Sequence, residues 1–208
     1  IQGAGGGGRG GRGGAGAADS AGAAGGGGGG GAGGGGRAGG QNIPAEYASQ
    51  QGNITPATTI PQLRAFLEAG GRVVTIGPST SLGRMLGLPI EDHMTENGQP
   101  LGGSKFYAPG SVLQVAVDTT MAITSGQPVH TDVFFDNSPV FKLGADAAAK
   151  GVKAVAWFDT ATPLRSGWAW GQAYLKDGVA IAQASIGQGT LYMFGPEILF
   201  RAQPHGTF

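Results

Sequence analysis

The 208-residue chain contains no cysteine. That absence excludes disulfides, thiolate metal sites and cysteine nucleophiles, and leaves the redox compartment open. Neither sign of charge is in excess, since thirteen basic residues balance thirteen acidic ones. Such a balance implies no general attraction to nucleic acid or to an anionic membrane, and nucleic-acid partners are not expected. No apolar run approaches the roughly 18 residues that a membrane-spanning helix needs, so no membrane partner is expected either. Histidine is scarce: His93, His130 and His205 stand apart, with no HExxH and no pair at helical spacing. A metal site within this chain is therefore not expected. Residues 3–40 lack every aromatic and every aliphatic core former.

What fills that stretch is glycine, with alanine making up most of the rest. It buries too little apolar surface to offset the entropy of ordering it, and reads as a Gly-rich loop or linker over residues 1–40. Two other readings stay open. Arg9 and Arg12 lie in two RGG units, a pattern found in RNA-binding segments, but only Arg37 joins them, Asp19 opposes them and no aromatic is available for stacking. An ordered assembly is the third reading, with oligomerisation through the tract. The strict Gly-X-Y period and the prolines of collagen are absent, as is the Gly-Lys-Ser/Thr of a phosphate loop.

Residues 41–208 hold every Trp, Tyr and Phe and suffice for one ordinary domain. Thr59 reads as a helix cap followed by Pro61 in the first turn, with Leu63, Phe66 and Leu67 at helical spacing and Gly70-Gly71 as the stop. Arg72 to Ile76 reads as a buried strand, and Ser81 to Leu88 as a second helix. Further strands are expected at Val112–Val117, Val133–Phe135, Lys153–Phe158 and Val179–Ala184. Gly187 and Gly189 turn the chain into Thr190–Gly195, an antiparallel pair placed at a sheet edge. Glu197 to Phe200 is expected to begin a closing helix, with Glu197 and Arg201 paired at i,i+4. Helix, strand and helix with short joints predict the α/β class. The chain opens on Ile1 without a signal-like segment and ends at "HGTF" without a stop, which reads as a fragment with any targeting signal upstream.

Three places could carry chemistry. The turn Gly77-Pro78-Ser79-Thr80-Ser81 partly matches Gly-x-Ser-x-Gly, the elbow that presents a serine above an α/β-hydrolase sheet. The final glycine is replaced by Ser81, and spacing assigns no histidine as the base. Capping of the following helix by Ser79 and Ser81 is the structural alternative. "DVFFDNSPVF" sets Asp132, Asp136 and Asn137 around a strand end, where α/β sheets open their clefts. "PLRSGWAWGQ" sets Arg165, Trp168 and Trp170 among glycines. Exposed, these aromatics form a ligand platform for sugar or peptide; buried, they cover the sheet edge, and burial is the expectation.

The segments "IPAEYASQQGNIT", "TIPQLRAFLEAGGRVVTIGPSTSLGRMLGLPI", "VFFDNSPVF", "KAVAWFDT", "LRSGWAWGQ" and "FGPEILFRAQPHGTF" together resemble the class I glutamine-amidotransferase-like domain attached C-terminally to bacterial zinc carboxypeptidases of the carboxypeptidase A type. The resemblance covers Ile43 to Phe208. It implies a mostly parallel sheet flanked by helices, flavodoxin-like and glutamine-amidotransferase-like, incomplete at both ends. It implies a secreted or periplasmic parent, an upstream peptidase domain as partner in the same polypeptide, and zinc only in that upstream domain, with no cofactor in this chain. In class I amidotransferases the matching strand–turn–helix presents a catalytic cysteine; here the place is the Gly77 to Ser79 turn, and no cysteine exists. The function expected is thus a non-catalytic accessory domain of a zinc carboxypeptidase-like protein, supporting the fold or binding substrate. The alternatives are a serine acyl-transfer hydrolase using Ser79 and a structural protein assembling through its glycine tract.

Overall fold

Apolar residues at helical spacing from Ile60 to Leu67 form α1 (Thr59–Glu68), which buries Ile60 and Leu67. The expected cap lies one residue earlier: Thr58 occupies the N-cap, and its side chain makes no cap bond. At the other end the stop forms as read. Gly70 adopts φ +98° and donates its N–H to the Leu67 carbonyl, while the Gly71 N–H reaches back to the Phe66 carbonyl. These two bonds are the Schellman pattern that satisfies the last helical carbonyls.

The computed structural model describes Glu46 and residues 55–199. After α1 comes β1 (Arg72–Ile76), then a 3-10 turn over Gly77–Ser81 and a one-turn helix α2 (Leu82–Met85). Helix α2 is shorter than the Ser81–Leu88 expected, because Gly87 at φ +76° turns the chain out. Then follow β2 (Ile90–Asp92), β3 (Thr95–Glu96), β4 (Gln99–Pro100), β5 (Ser111–Val117), β6 (His130–Phe135), β7 (Phe141–Leu143), β8 (Val152–Trp157), β9 (Leu164–Ser166), β10 (Val179–Ile186) and β11 (Gly189–Phe194). The main sheet runs in the order β1-β11-β10-β8-β5-β6, with β7 bringing β2 onto β10 and β9 pairing with β5.

The expectation of a mostly parallel, helix-flanked, flavodoxin-like sheet is overturned. Only β1 and β11 run parallel, from Arg72 opposite Thr190 to Ile76 opposite Phe194; the other pairings among the described strands are antiparallel. The sheet is mixed and curled, and the described residues hold only two short α-helices. Parallel neighbours need long crossovers, usually helical, whereas the connections after β5 and β9 carry single 3-10 turns at Ala122–Thr124 and Gln172–Leu175. The parallel expectation rested on the apolar run of β1, a pattern typical of parallel sheets, and on the family resemblance; β1 does run parallel to β11, but the later strands do not follow. An antiparallel strand buried on both sides gives the same pattern.

Both faces are indeed buried at the centre. Along β11, Leu191 and Met193 enter one apolar cluster with Ile60, Leu67, Leu82 and Ile186. Phe194 enters the other, with Leu113, Phe135, Phe158 and Ile181. Register shifts between Val179, Ile181 and Ala182 let β10 place the neighbours Ala180 and Ile181 in one cluster, with Val179 and Ala182 in the other. Each fully buried large side chain contributes about 1.5–3 kcal/mol of transfer free energy.

The β10–β11 hairpin closes through Gly187 and Gln188, with Ile186 opposite Gly189 and Gly187 at φ +57°, as a two-residue turn requires. It is not at an edge, because β1 covers the far side of β11. Nor does a closing helix begin at Glu197. That residue makes an antiparallel bridge with Phe134, its N–H 3.1 Å from the Phe134 carbonyl. Arg201, the expected partner of Glu197, and the proposed 1–40 boundary lie outside the described residues.

The hairpin lies against the end of α1 so closely that a Cβ on Gly189 would sit 2.1 Å from the Leu67 carbonyl oxygen and 2.4 Å from that of Gly71. Both obstacles are backbone and cannot rotate away. Gly189→Ala is therefore expected to destabilise the domain by about 1–3 kcal/mol, read as a lowered urea midpoint; an unchanged midpoint would show that α1 does not pack as described.

Candidate functional site

The turn after β1 places its unusual backbone on Gly77, at φ +57°, and not on a serine. A nucleophile elbow needs the strain at the serine so that Oγ projects freely. Ser79 does the reverse. Its Oγ accepts the Ile76 N–H at 2.9 Å and donates to the Ile76 carbonyl at 2.8 Å, a bond back to the N-cap backbone like half of a capping box. The expected capping of the following helix α2 by Ser79 and Ser81 does not form; Ser79 bonds back to Ile76. Thr80 tightens the same turn by donating to the Gly77 carbonyl at 2.7 Å. Ser81 sits at the start of α2 without a side-chain cap bond.

Ser81 instead lines a cleft of roughly 380 Å³. One wall comes from the turn and α2, with Thr80, Arg84 and Met85; the other comes from β2 and the β6–β7 connection, with Glu91, Asp92 and Val140. Arg84 is exposed and makes no ion pair among the described residues. Glu91 lies 3.9 Å from Lys142 across two exposed side chains, and Asp92 accepts the Met94 N–H at 2.9 Å. The cleft therefore offers one guanidinium, two carboxylates and an apolar floor. Sequence reading missed it, because Arg84, Glu91 and Asp92 belong to no motif.

The tryptophans are not buried as expected: Trp168 and Trp170 are each 54% exposed. They follow the end of β9, and only Trp170 joins a backbone bridge. Ala169 packs against the core cluster, and the large rings on either side point outward. Tyr107 forms a backbone bridge with Trp170, and its ring lies edge-on to that of Trp168 at 5.9 Å. Arg165 lies on β9, with its Nε 3.6 Å from Asp132 Oδ1 on β6. That oxygen is buried and makes no hydrogen bond.

Asp136 and Asn137 follow the end of β6 and serve the backbone. Asn137, at φ +44°, donates its N–H to the Ala108 carbonyl and accepts the Ala108 N–H on Oδ1, at 3.0 and 3.3 Å. The Asp136 N–H goes to Ser138 Oγ at 3.1 Å. His93 Nε2 lies 3.1 Å from the Tyr174 and Lys176 carbonyls, and His130 Nε2 lies 2.7 Å from Asp159. Neither reaches Ser79, and His205 lies outside the described residues. Among the described residues no group of three or more His, Asp or Glu could hold a metal ion, and no helix is long and apolar enough to cross a membrane.

No family model and no curated protein matches the chain. Among solved structures it is similar to a β-galactosidase from Bacillus circulans sp. alkalophilus, with 12% identity over 67% of this chain and 18% of that chain, at TM-score 0.42. A cytoplasmic protein from Salmonella typhimurium LT2 gives 9% identity over 77% and 56%, at TM-score 0.40. A putative ThuA-like protein from Bacteroides uniformis gives 9% over 70% and 58%, also at 0.40. The chain thus spans under a fifth of the β-galactosidase and just over half of the other two. Likenesses this distant assign neither fold family nor activity. The resemblance to the C-terminal domain of zinc carboxypeptidases is overturned: no carboxypeptidase model or curated protein matches, and none of these structures is one. The upstream peptidase partner, the upstream zinc and the secreted or periplasmic location rested on that resemblance and have no other support.

The two serines of the turn are expected to differ. Ser79→Ala should lower stability by about 1 kcal/mol through loss of both bonds to Ile76. Ser81→Ala, which removes no such bond, should stay within about 0.5 kcal/mol. Equal urea midpoints for the two variants would contradict the assigned role of Ser79.

Proposed function

We propose that the chain is a non-catalytic accessory module, one that supports a larger protein or holds a small ligand in the cleft beside the β1 turn. The observation supporting this reading is the Ser79 hydroxyl closed on both backbone groups of Ile76. A serine becomes a nucleophile when a neighbouring base takes its proton. Here the proton is directed to a carbonyl, and both described histidines are bonded elsewhere. In the cleft, Arg84 suits a carboxylate or phosphate through its planar fork of donors, while Glu91 and Asp92 suit a cationic group. A small ligand bearing both charges on a short apolar body matches that lining best.

A fluorophosphonate probe tests the non-catalytic reading. The folded chain is expected to remain unlabelled at Ser79. Stoichiometric labelling that disappears in Ser79→Ala would establish an acyl-transfer hydrolase instead. Residues 3–40 are proposed to act as a spacer, so deleting them should leave the oligomeric state by sedimentation unchanged. Loss of an oligomer on deletion would favour assembly through the glycine tract.

A further inference from the structure

Three aromatic rings are exposed on two short segments joined by the Tyr107–Trp170 bridge, with core residues behind them. Phe106 packs edge-on against Phe135 at 6.1 Å between ring centres, so its neighbour Tyr107 faces out. Ala169 packs against the same cluster, so Trp168 and Trp170 face out on either side of it. Tyr107, Trp168 and Trp170 are 44%, 54% and 54% exposed, which is costly surface for side chains of this size unless something uses it.

The rings are fixed in place before any ligand arrives. Tyr107 and Trp170 exchange both backbone hydrogen bonds, at 3.1 and 2.8 Å. The Trp170 indole N–H donates to the Ser104 carbonyl at 2.8 Å. Ser111 Oγ donates to the Trp168 carbonyl at 2.5 Å and accepts the Trp168 N–H at 2.9 Å. The two Asn137–Ala108 bonds anchor the residue after Tyr107. Gly171 permits the close approach, since a Cβ there would lie 1.8 Å from the Lys105 carbonyl oxygen. Surfaces ordered in advance bind with little further loss of entropy.

Charge and area decide what fits. Lys105 is ion-paired to Glu96, whose carboxylate raises the lysine pKa, and Arg165 lies against Asp132. The nearby cations are thus neutralised, which disfavours nucleic acid or an acidic peptide, both of which need uncompensated positive charge. Half-exposed rings of this size present on the order of 100 Å² each, or roughly 300 Å² together, well below the ~800 Å² per partner of a stable protein interface. A sugar ring has an apolar C–H face that stacks on an aromatic ring, hydroxyls that remain in water, and no charge. We propose that Tyr107, Trp168 and Trp170 form a binding platform for a neutral glycan chain.

The platform shares no residue with the cleft beside the β1 turn, so either can fail alone. Affinity electrophoresis of the full chain in gels containing xylan, galactan, mixed-linkage β-glucan or soluble starch provides the test, with tryptophan fluorescence as a second readout. At least one polysaccharide is expected to retard the chain and shift its emission. Trp168→Ala and Trp170→Ala should each weaken retardation roughly tenfold or more, Trp170→Phe should weaken it less, and Arg84→Ala should leave it unchanged. Circular dichroism identifies variants that have merely unfolded, and the fluorescence readout on Trp170→Phe covers that case. The proposal is overturned if none of the four polysaccharides retards the chain, if both alanine variants bind like the parent, or if the face instead mediates a dimer that Trp168→Ala dissociates.

Discussion

Strand β11 is enclosed from every direction: β1 pairs with it in parallel along one edge, β10 antiparallel along the other, and its alternate side chains enter two different apolar clusters. The rest of the domain depends on this enclosure. Because β11 carries β1, it also sets where the Gly77–Ser81 turn emerges, and so where the cleft opens. Because β10 carries β8, which pairs with β5, it sets where β6 and β9 lie, and behind them the core against which Phe106 and Ala169 rest. The close fit of Gly189 under the α1 carboxyl end couples helix and hairpin, so displacing one displaces the other.

Much of this was legible in the sequence. The Schellman stop at Gly70-Gly71 follows from two glycines after an apolar repeat, and the β10–β11 hairpin from Gly187 between two apolar runs. Strand direction was not legible. An apolar run such as "RVVTI" says nothing of how the rest of the sheet runs, and the family resemblance supplied the parallel, helix-flanked sheet that was expected. The absence of helical periodicity between Val117 and His130, and again between Ser166 and Val179, was the available sign against crossover helices. Further along the chain, Glu197 reads as helical by its local pairing with Arg201, but its backbone N–H donates to the Phe134 carbonyl of β6 in an antiparallel bridge.

The candidate sites divide in the same way. Trp168 and Trp170 were visible as an unusual pair, but their exposure depends on Ala169: an alternation of large, small, large points the small residue inward when the inner space is already filled by Phe135 and its neighbours. Tyr107 was beyond sequence reading, since it reaches Trp170 only through a bridge spanning more than sixty positions. The cleft residues were missed for a similar reason: the pairing of β2 with β7 sets Glu91 and Asp92 beside Phe141, while Arg84 comes from α2 on the facing wall. Ser79 was the residue most open to two readings. Its type suits catalysis, and its hydrogen bonds make it part of the scaffold.

The serine of this turn is bonded to both backbone groups of Ile76, and the proposed non-catalytic reading rests on that commitment. Amide hydrogen exchange at Ile76, measured in the parent and in Ser79→Ala, tests it most directly. The account predicts that the Ile76 amide is protected in the parent and loses protection in the variant, while Val73 and Thr75 keep theirs. Equal exchange at Ile76 in both proteins would contradict it, leaving the Ser79 hydroxyl free and the elbow open to a catalytic reading.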